Sequence, residues 1–177
     1  MANIDLSRVP DFFHNYIKLV ADEDLAISFK KHQVNFISIL KNVPEEMWDY
    51  RYAEGKWTIK ELIQHVIDAE RIFSYRALRF ARKDDTGLAG FDENKYAQTA
   101  RADKRSKEDL IEELGIVQRS SALLFASFDE DQLEQSGISN GKSIYVKAIG
   151  YIITGHTLHH QNILLERYLN KKPSTLS

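Results

Sequence analysis

Proline occurs only three times in the 177 residues, at Pro10, Pro44 and Pro173, and each stands at the edge of a helical pattern rather than inside one. An interior proline removes a backbone donor and clashes with the preceding turn, so this spacing leaves the chain free to form long, uninterrupted helices. Apolar periodicity fills the intervals. From Asp24 to Val43, Leu25, Phe29, His32, Phe36, Ile39, Leu40 and Val43 recur at spacings of three and four, which draws one apolar stripe down a helix with His32 inside it. Thr58 followed by Glu61 forms a capping-box pattern that opens a second helix, predicted to run to about Arg82. The stretch from Asp84 to Arg105 is polar and turn-rich, too long for a tight hairpin, and reads as a crossover connection or a functional loop.

Ser106 caps a third helix, in which Leu110, Leu114, Val117, Ser121, Leu124 and Phe128 follow a helical repeat. A loop from Asp129 to Lys142 contains the turn signal Asn140-Gly141. Ser143 is expected to open the last helix, with Tyr145, Ile149, Ile152, His156, His160, Ile163 and Arg167 on one side. The segment with Phe12, Phe13, Tyr16 and Ile17 reads as a short extra N-terminal helix. No alternation is long enough to predict a strand. The expectation is therefore an all-α four-helix bundle with one long crossover, formed as a single domain over residues 1–177.

Composition narrows the function. A formal charge of -2 gives no overall basic field, which argues against a general nucleic-acid binder. Arg71, Arg76, Arg79, Arg82 and Lys83 do concentrate on one helix, but Glu61, Asp68 and Glu70 share it, and a charge-rich helix is usually a solvated face. Cysteine is absent, which removes disulfides, thiolate ligands and a cysteine nucleophile together, so nitrogen or oxygen must hold any metal. Neither a signal segment nor a charge-free stretch of membrane-spanning length is present, and a cytoplasmic protein without membrane association is expected.

His156 and His160 lie four positions apart, so on a helix they point the same way one turn apart and can chelate one ion. His65 occupies the corresponding inward face of another helix, with Leu62, Ala69 and Ile72, so three imidazoles can meet inside a bundle. Other metal patterns fail on inspection. Thr157 stands where a zincin has its glutamate base, position 159 is histidine where an inverzincin has glutamate, and no Glu-x-x-His pair exists for a ferritin-like di-iron site. What survives is a mononuclear site with three neutral nitrogen donors, suited to zinc or nickel, with coordination left open for water or substrate. His159 is about 100° from His160 around the helix, which makes it a rim or supporting group. His32 reads first as a satisfied core histidine, the rival being a group that supports the metal ligands. His14 reads as peripheral and Trp57 as an anchor for the loop before Thr58.

The segments GKWTIKELIQHVIDAERIFSYRALRFAR around His65, GFDENKY from Gly90 to Tyr96 and GHTLHHQNILLERYL from Gly155 to Leu169 resemble the DinB-like superfamily, also called the DinB/YfiT-like family. The resemblance spans residues from about 25 to 169. It implies an up-down-down-up bundle whose crossover corresponds to Asp84 to Arg105, with one ligand from the second bundle helix, His65, and a His-x-x-x-His pair from the fourth, His156 and His160. It also implies a homodimer. Many relatives carry glutamate immediately after the first histidine of the pair, and here that position is Thr157. Characterised relatives include thiol-dependent S-transferases and isomerases that use bacillithiol, mycothiol or glutathione.

Two functions follow as expectations. The first is a metal-dependent enzyme of the thiol S-transferase type, or a hydrolase, acting on a small-molecule substrate with a divalent ion that lowers the pKa of a bound thiol or water. An anionic thiol needs cationic anchors, and Arg76, with Arg79 and Lys83 in the same line, stands nearly on the helical face of His65. The alternative is non-catalytic: the metal ties helices together in a bundle that binds a small ligand or pairs with itself. A fourth protein ligand favours the second, and an open position facing a pocket favours the first.

Overall fold

A computed structural model describes residues 4–170; Pro173 lies outside them. Its helices are α1 (His14–Lys18), α2 (Leu25–Lys41), α3 (Ile59–Ala81), α4 (Glu93–Thr99), α5 (Lys107–Ala126), α6 (Glu130–Leu133) and α7 (Val146–Ile163). The four long ones, α2, α3, α5 and α7, make a four-helix bundle. α3 packs against both α5 and α7, and α2 packs against the same two, so the sequential neighbours α2 and α3 lie across a diagonal. The connection that crosses the diagonal is residues 42–58, between the end of α2 and the start of α3. No helix among the described residues is long and apolar enough to cross a membrane.

The helix starts follow local chemistry. The Asp24 carboxylate accepts from the backbone N–H groups of Ala26 and Ile27 at the head of α2. At α3 the capping box is complete: the Thr58 hydroxyl accepts from Glu61 N–H at 3.1 Å, and the Glu61 carboxylate accepts from Thr58 N–H at 2.7 Å. Ser106 caps α5 through Asp109 N–H. α1 follows a single 3₁₀ turn, Asp11–Phe13, which matches the expected short N-terminal helix.

Three features depart from expectation. The crossover is not simply a loop: Asp92 caps α4 by accepting from Asn94 and Lys95, and a 3₁₀ turn follows at Ala102–Lys104. Residues 136–145 form an antiparallel hairpin, β1 (Ser136–Ser139) and β2 (Lys142–Tyr145), where no strand was expected. Asn140 and Gly141 both have positive φ, at 52° and 71°, as a tight primed hairpin turn requires. Ser143 and Tyr145 consequently belong to β2, and α7 begins at Val146. Four-residue strands are too short to display an alternation that stands out from neighbouring helical patterns.

The apolar core separates into two clusters. One gathers Phe73, Ala77, Phe80, Phe125, Ile149 and Ile152 with residues of α1 and the hairpin. The other gathers Phe36, Leu40, Trp48, Ile63, Leu114 and Tyr168. Between them every bundle helix carries buried polar groups at the same level: His32 on α2, His65 and Glu70 on α3, Gln118 and Ser121 on α5, His156 and His160 on α7. A polar layer thus crosses the middle of the bundle, and the chemistry is concentrated there.

Candidate metal centre

His65 comes from the second turn of α3, and His156 and His160 from the third and fourth turns of α7. All three are buried. Their Nε2 atoms converge: His156 Nε2 lies 3.1 Å from His65 Nε2 and 3.1 Å from His160 Nε2. A neutral imidazole nitrogen either donates or accepts along one in-plane direction, so three converging imidazole nitrogens cannot all be satisfied by one another through His156 Nε2. A shared cation satisfies all three. Two nitrogens held about 2.0–2.1 Å from one ion stand roughly 3 to 3.5 Å apart, so the observed spacing suits a first-row divalent metal. Among the described residues these three histidines are the group of side chains that can hold an ion, and no fourth histidine or carboxylate completes it.

Electrostatics keep the donors neutral. Burial, with His159 nearby, pushes the pKa of His65 down to about 4. Burial and the neighbouring imidazoles hold His156 and His160 well below the ordinary histidine range. Lone pairs are therefore available at neutral pH, which is what metal binding requires. Nδ1 of His160 is buried with no hydrogen-bond partner, so no carbonyl or carboxylate fixes its tautomer.

Aromatic rings enclose the cluster. Trp57, just before the Thr58 cap, packs against His65 with ring centroids 4.7 Å apart and the planes tilted by 39°. Its carbonyl accepts from Tyr168 Oη at 2.7 Å, in the π-helical turn Leu164–Leu169 that extends α7. Tyr16 of α1 meets His156 and His159 edge-on at 5.4 and 5.2 Å. Burial and Glu93 raise the Tyr16 pKa, so its phenol remains a proton donor. Nothing in the spacing of the sequence pointed to Tyr16 as a site residue; the small residue Gly155, which admits α1 against α7, is the one local trace of it. His159 is half-buried, and its ring meets Tyr16 rather than the cavity.

A cavity of about 330 Å³ opens beside the cluster, with His65, His156, Tyr16, Phe73, Phe91 and Arg76 in its wall. Arg76 is buried and donates through Nη2 to the Ala89 carbonyl at 3.1 Å. Arg79 does not join it: its guanidinium pairs with Asp84 and donates to Tyr75 Oη. Lys83 lies beyond the end of α3 in a left-handed turn and is likewise absent from the cavity wall. The cationic line expected along α3 therefore reduces to Arg76.

His32 lies elsewhere in the polar layer. Its Nε2 is 3.0 Å from Glu23 Oε2, and it shares a small pocket with Glu70, Gln118, Thr154 and Thr157. Glu70, on a helix whose charge pattern predicts a solvated face, is almost wholly buried. His14, expected to be peripheral, bonds through Nε2 to the Leu6 and Val9 carbonyls and ties down the N-terminal segment.

The fold and site define a helical bundle with a buried three-histidine cluster open to a cavity. Residues 28–164 match the model of the DinB superfamily, and the chain belongs to that family. Among solved structures it is similar to YfiT from Bacillus subtilis, described as a probable metal-dependent hydrolase with an unusual four-helix bundle topology. The match has a TM-score of 0.73 at 11% identity and covers 93% of this chain and 91% of that one. No curated protein matches the sequence.

Proposed function

We propose that this protein is a metal-dependent enzyme acting on a small molecule, with His65, His156 and His160 holding one divalent ion and hydrolysis as its reaction. One observation carries the reading: three neutral imidazoles converge, with no fourth ligand among the described residues, at the wall of a cavity of about 330 Å³. A purely structural ion calls for a closed coordination sphere, which is why the non-catalytic alternative has less support. When bound, a divalent ion supplies Lewis-acid chemistry, lowering the pKa of a nucleophile and polarising an acceptor.

The remaining tasks fall to the chain's own residues. Trp57 and Phe73 exclude bulk water from the histidines. Tyr16 offers a phenolic proton beside His156. A second reading, transfer of a low-molecular-weight thiol, is favoured by the absence of cysteine, since any thiol nucleophile must then come from solution. Zinc- or nickel-loaded protein screened against ester and amide panels, and against thiols with electrophiles, tests both. Turnover abolished by chelator and restored by metal is expected, with ester or amide cleavage supporting hydrolysis and thiol consumption supporting transfer. A loaded protein inactive across both panels overturns the proposal.

A further inference from the structure

We infer that Arg76 anchors the carboxylate of the substrate, and that the cavity accepts small acids with an aromatic or other apolar body. The inference deepens the preceding proposal and rests on its reading of the cavity as the substrate site. Arg76 is 7% exposed, and its one hydrogen bond among the described residues is that from Nη2 to the Ala89 carbonyl. Among the described residues no carboxylate pairs with it. Glu93 is the one acidic residue in the cavity wall and makes no ion pair with Arg76, while Lys142 adds a second cation there. A buried guanidinium with one hydrogen-bond partner, a neutral carbonyl, and two aromatic rings at 5.7 and 5.9 Å still carries a desolvation penalty, and a planar anion that accepts from its free N–H groups offsets it.

The rest of the wall describes the remainder of the ligand. Phe73 stands within reach of both the histidines and the cation, its ring centroid 6.1 Å from that of His156 and 5.7 Å from the Arg76 guanidinium carbon. Phe91 faces the same guanidinium at 5.9 Å. Phe13 packs edge-on against Phe73 at 5.8 Å. The Ser139 hydroxyl, also in the wall, is buried without a partner. An apolar body between Phe73 and Phe91 therefore carries its acid group at Arg76 and directs its other end to the histidines. A volume of about 330 Å³ is at the small end for ligand pockets, which sets the scale of the molecule.

The test is binding rather than turnover. Affinities of 3-phenylpropanoate and its uncharged counterpart 3-phenylpropan-1-ol are measured by calorimetry on the full-length protein, with and without zinc. The carboxylate is expected to bind tighter by roughly tenfold or more in both states, the scale of a charge-assisted hydrogen-bonded pair. That preference should disappear in Arg76→Gln and persist in part in Arg76→Lys, while alcohol binding reports whether the cavity has kept its shape. Equal binding of acid and alcohol by the wild type, or an unchanged preference in Arg76→Gln, overturns the inference. Zinc titration of the wild type reads the metal proposal separately: failure to bind zinc defeats that proposal, whereas the carboxylate preference measured without zinc still decides the role of Arg76. If Arg76→Gln does not fold, the Nε–H NMR resonance of Arg76 in the wild type decides. A shift caused by the acid and not by the alcohol supports the anchor; no shift removes it.

Discussion

Gly155 on α7 lies directly against the backbone of Tyr16: a Cβ at that position would come within 2.1 Å of the Tyr16 carbonyl oxygen. The obstructing atom is backbone in α1, so no side chain can rotate away. Gly155→Ala is therefore expected to displace α1 and carry Tyr16 away from His156. Overpacking of this kind costs about 1–3 kcal/mol, a fall in Tm of several degrees for a chain of this size. Zinc stoichiometry should be unchanged, because α1 supplies none of the three histidines. A variant that melts with the wild type shows that the close approach is not maintained in solution.

Removing one imidazole leaves two donors on a buried face. His160→Ala should reduce zinc or nickel binding by more than about a hundredfold, since the remaining pair lacks the third nitrogen of the chelate. Elemental analysis after dialysis checks this. One equivalent of metal retained by the variant would defeat the assignment of His160.

Three of the long helices, α2, α3 and α5, were legible because each opens on a side-chain cap, as with Thr58 and Glu61 on α3. By contrast α7, whose N-cap Tyr145 makes no side-chain bond, was legible from its apolar stripe alone and its start was misplaced. The histidine cluster was legible in outline because a spacing of four on α7 fixes a shared direction whatever surrounds it. Its surroundings were not. Tyr16 reaches His156 only through the packing of α1 on α7, a contact between residues 140 positions apart in the chain. Glu70 reads as solvated because periodicity ranks residues by hydrophobicity, and a buried carboxyl contradicts that ranking. The hairpin escaped because its strands are only four residues long. Leu88 holds the crossover to it through backbone bonds with Ile138 and Asn140, both at 2.9 Å, pairing that side-chain patterns do not encode.

Tyr168 fixes the loop that carries Trp57. Its hydroxyl donates to the Trp57 carbonyl at 2.7 Å, and the Trp57 ring packs at a tilt against His65. Tyr168→Phe keeps the packing and loses that bond, which costs about 0.5–1.5 kcal/mol. Freed of it, Trp57 should constrain the His65 ring less, so zinc affinity is expected to fall by up to about tenfold while stoichiometry is retained. Competition with a chromophoric chelator measures the change, and an affinity equal to the wild type would show that Trp57 is held without Tyr168.

Glu70 gives the protein a distinctive pH dependence. Burial pushes its pKa from 4.5 up to about 8, partly opposed by Ser121 and Gln118. Below pH 4.5 the carboxyl is protonated in both the folded and the unfolded chain. As pH rises from there toward 8, the unfolded chain releases this proton while the folded chain keeps it, so stability falls across that interval and levels off above it. The loss attributable to Glu70 is on the order of 5 kcal/mol, at about 1.4 kcal/mol per pH unit. Glu70→Gln has no proton to release and nearly the same shape. Denaturant unfolding of both proteins in chelator, at pH 5, 6.5 and 8.5, should therefore show an advantage for the variant that grows with pH. A difference that stays constant over this range would mean that Glu70 is not held protonated in the fold.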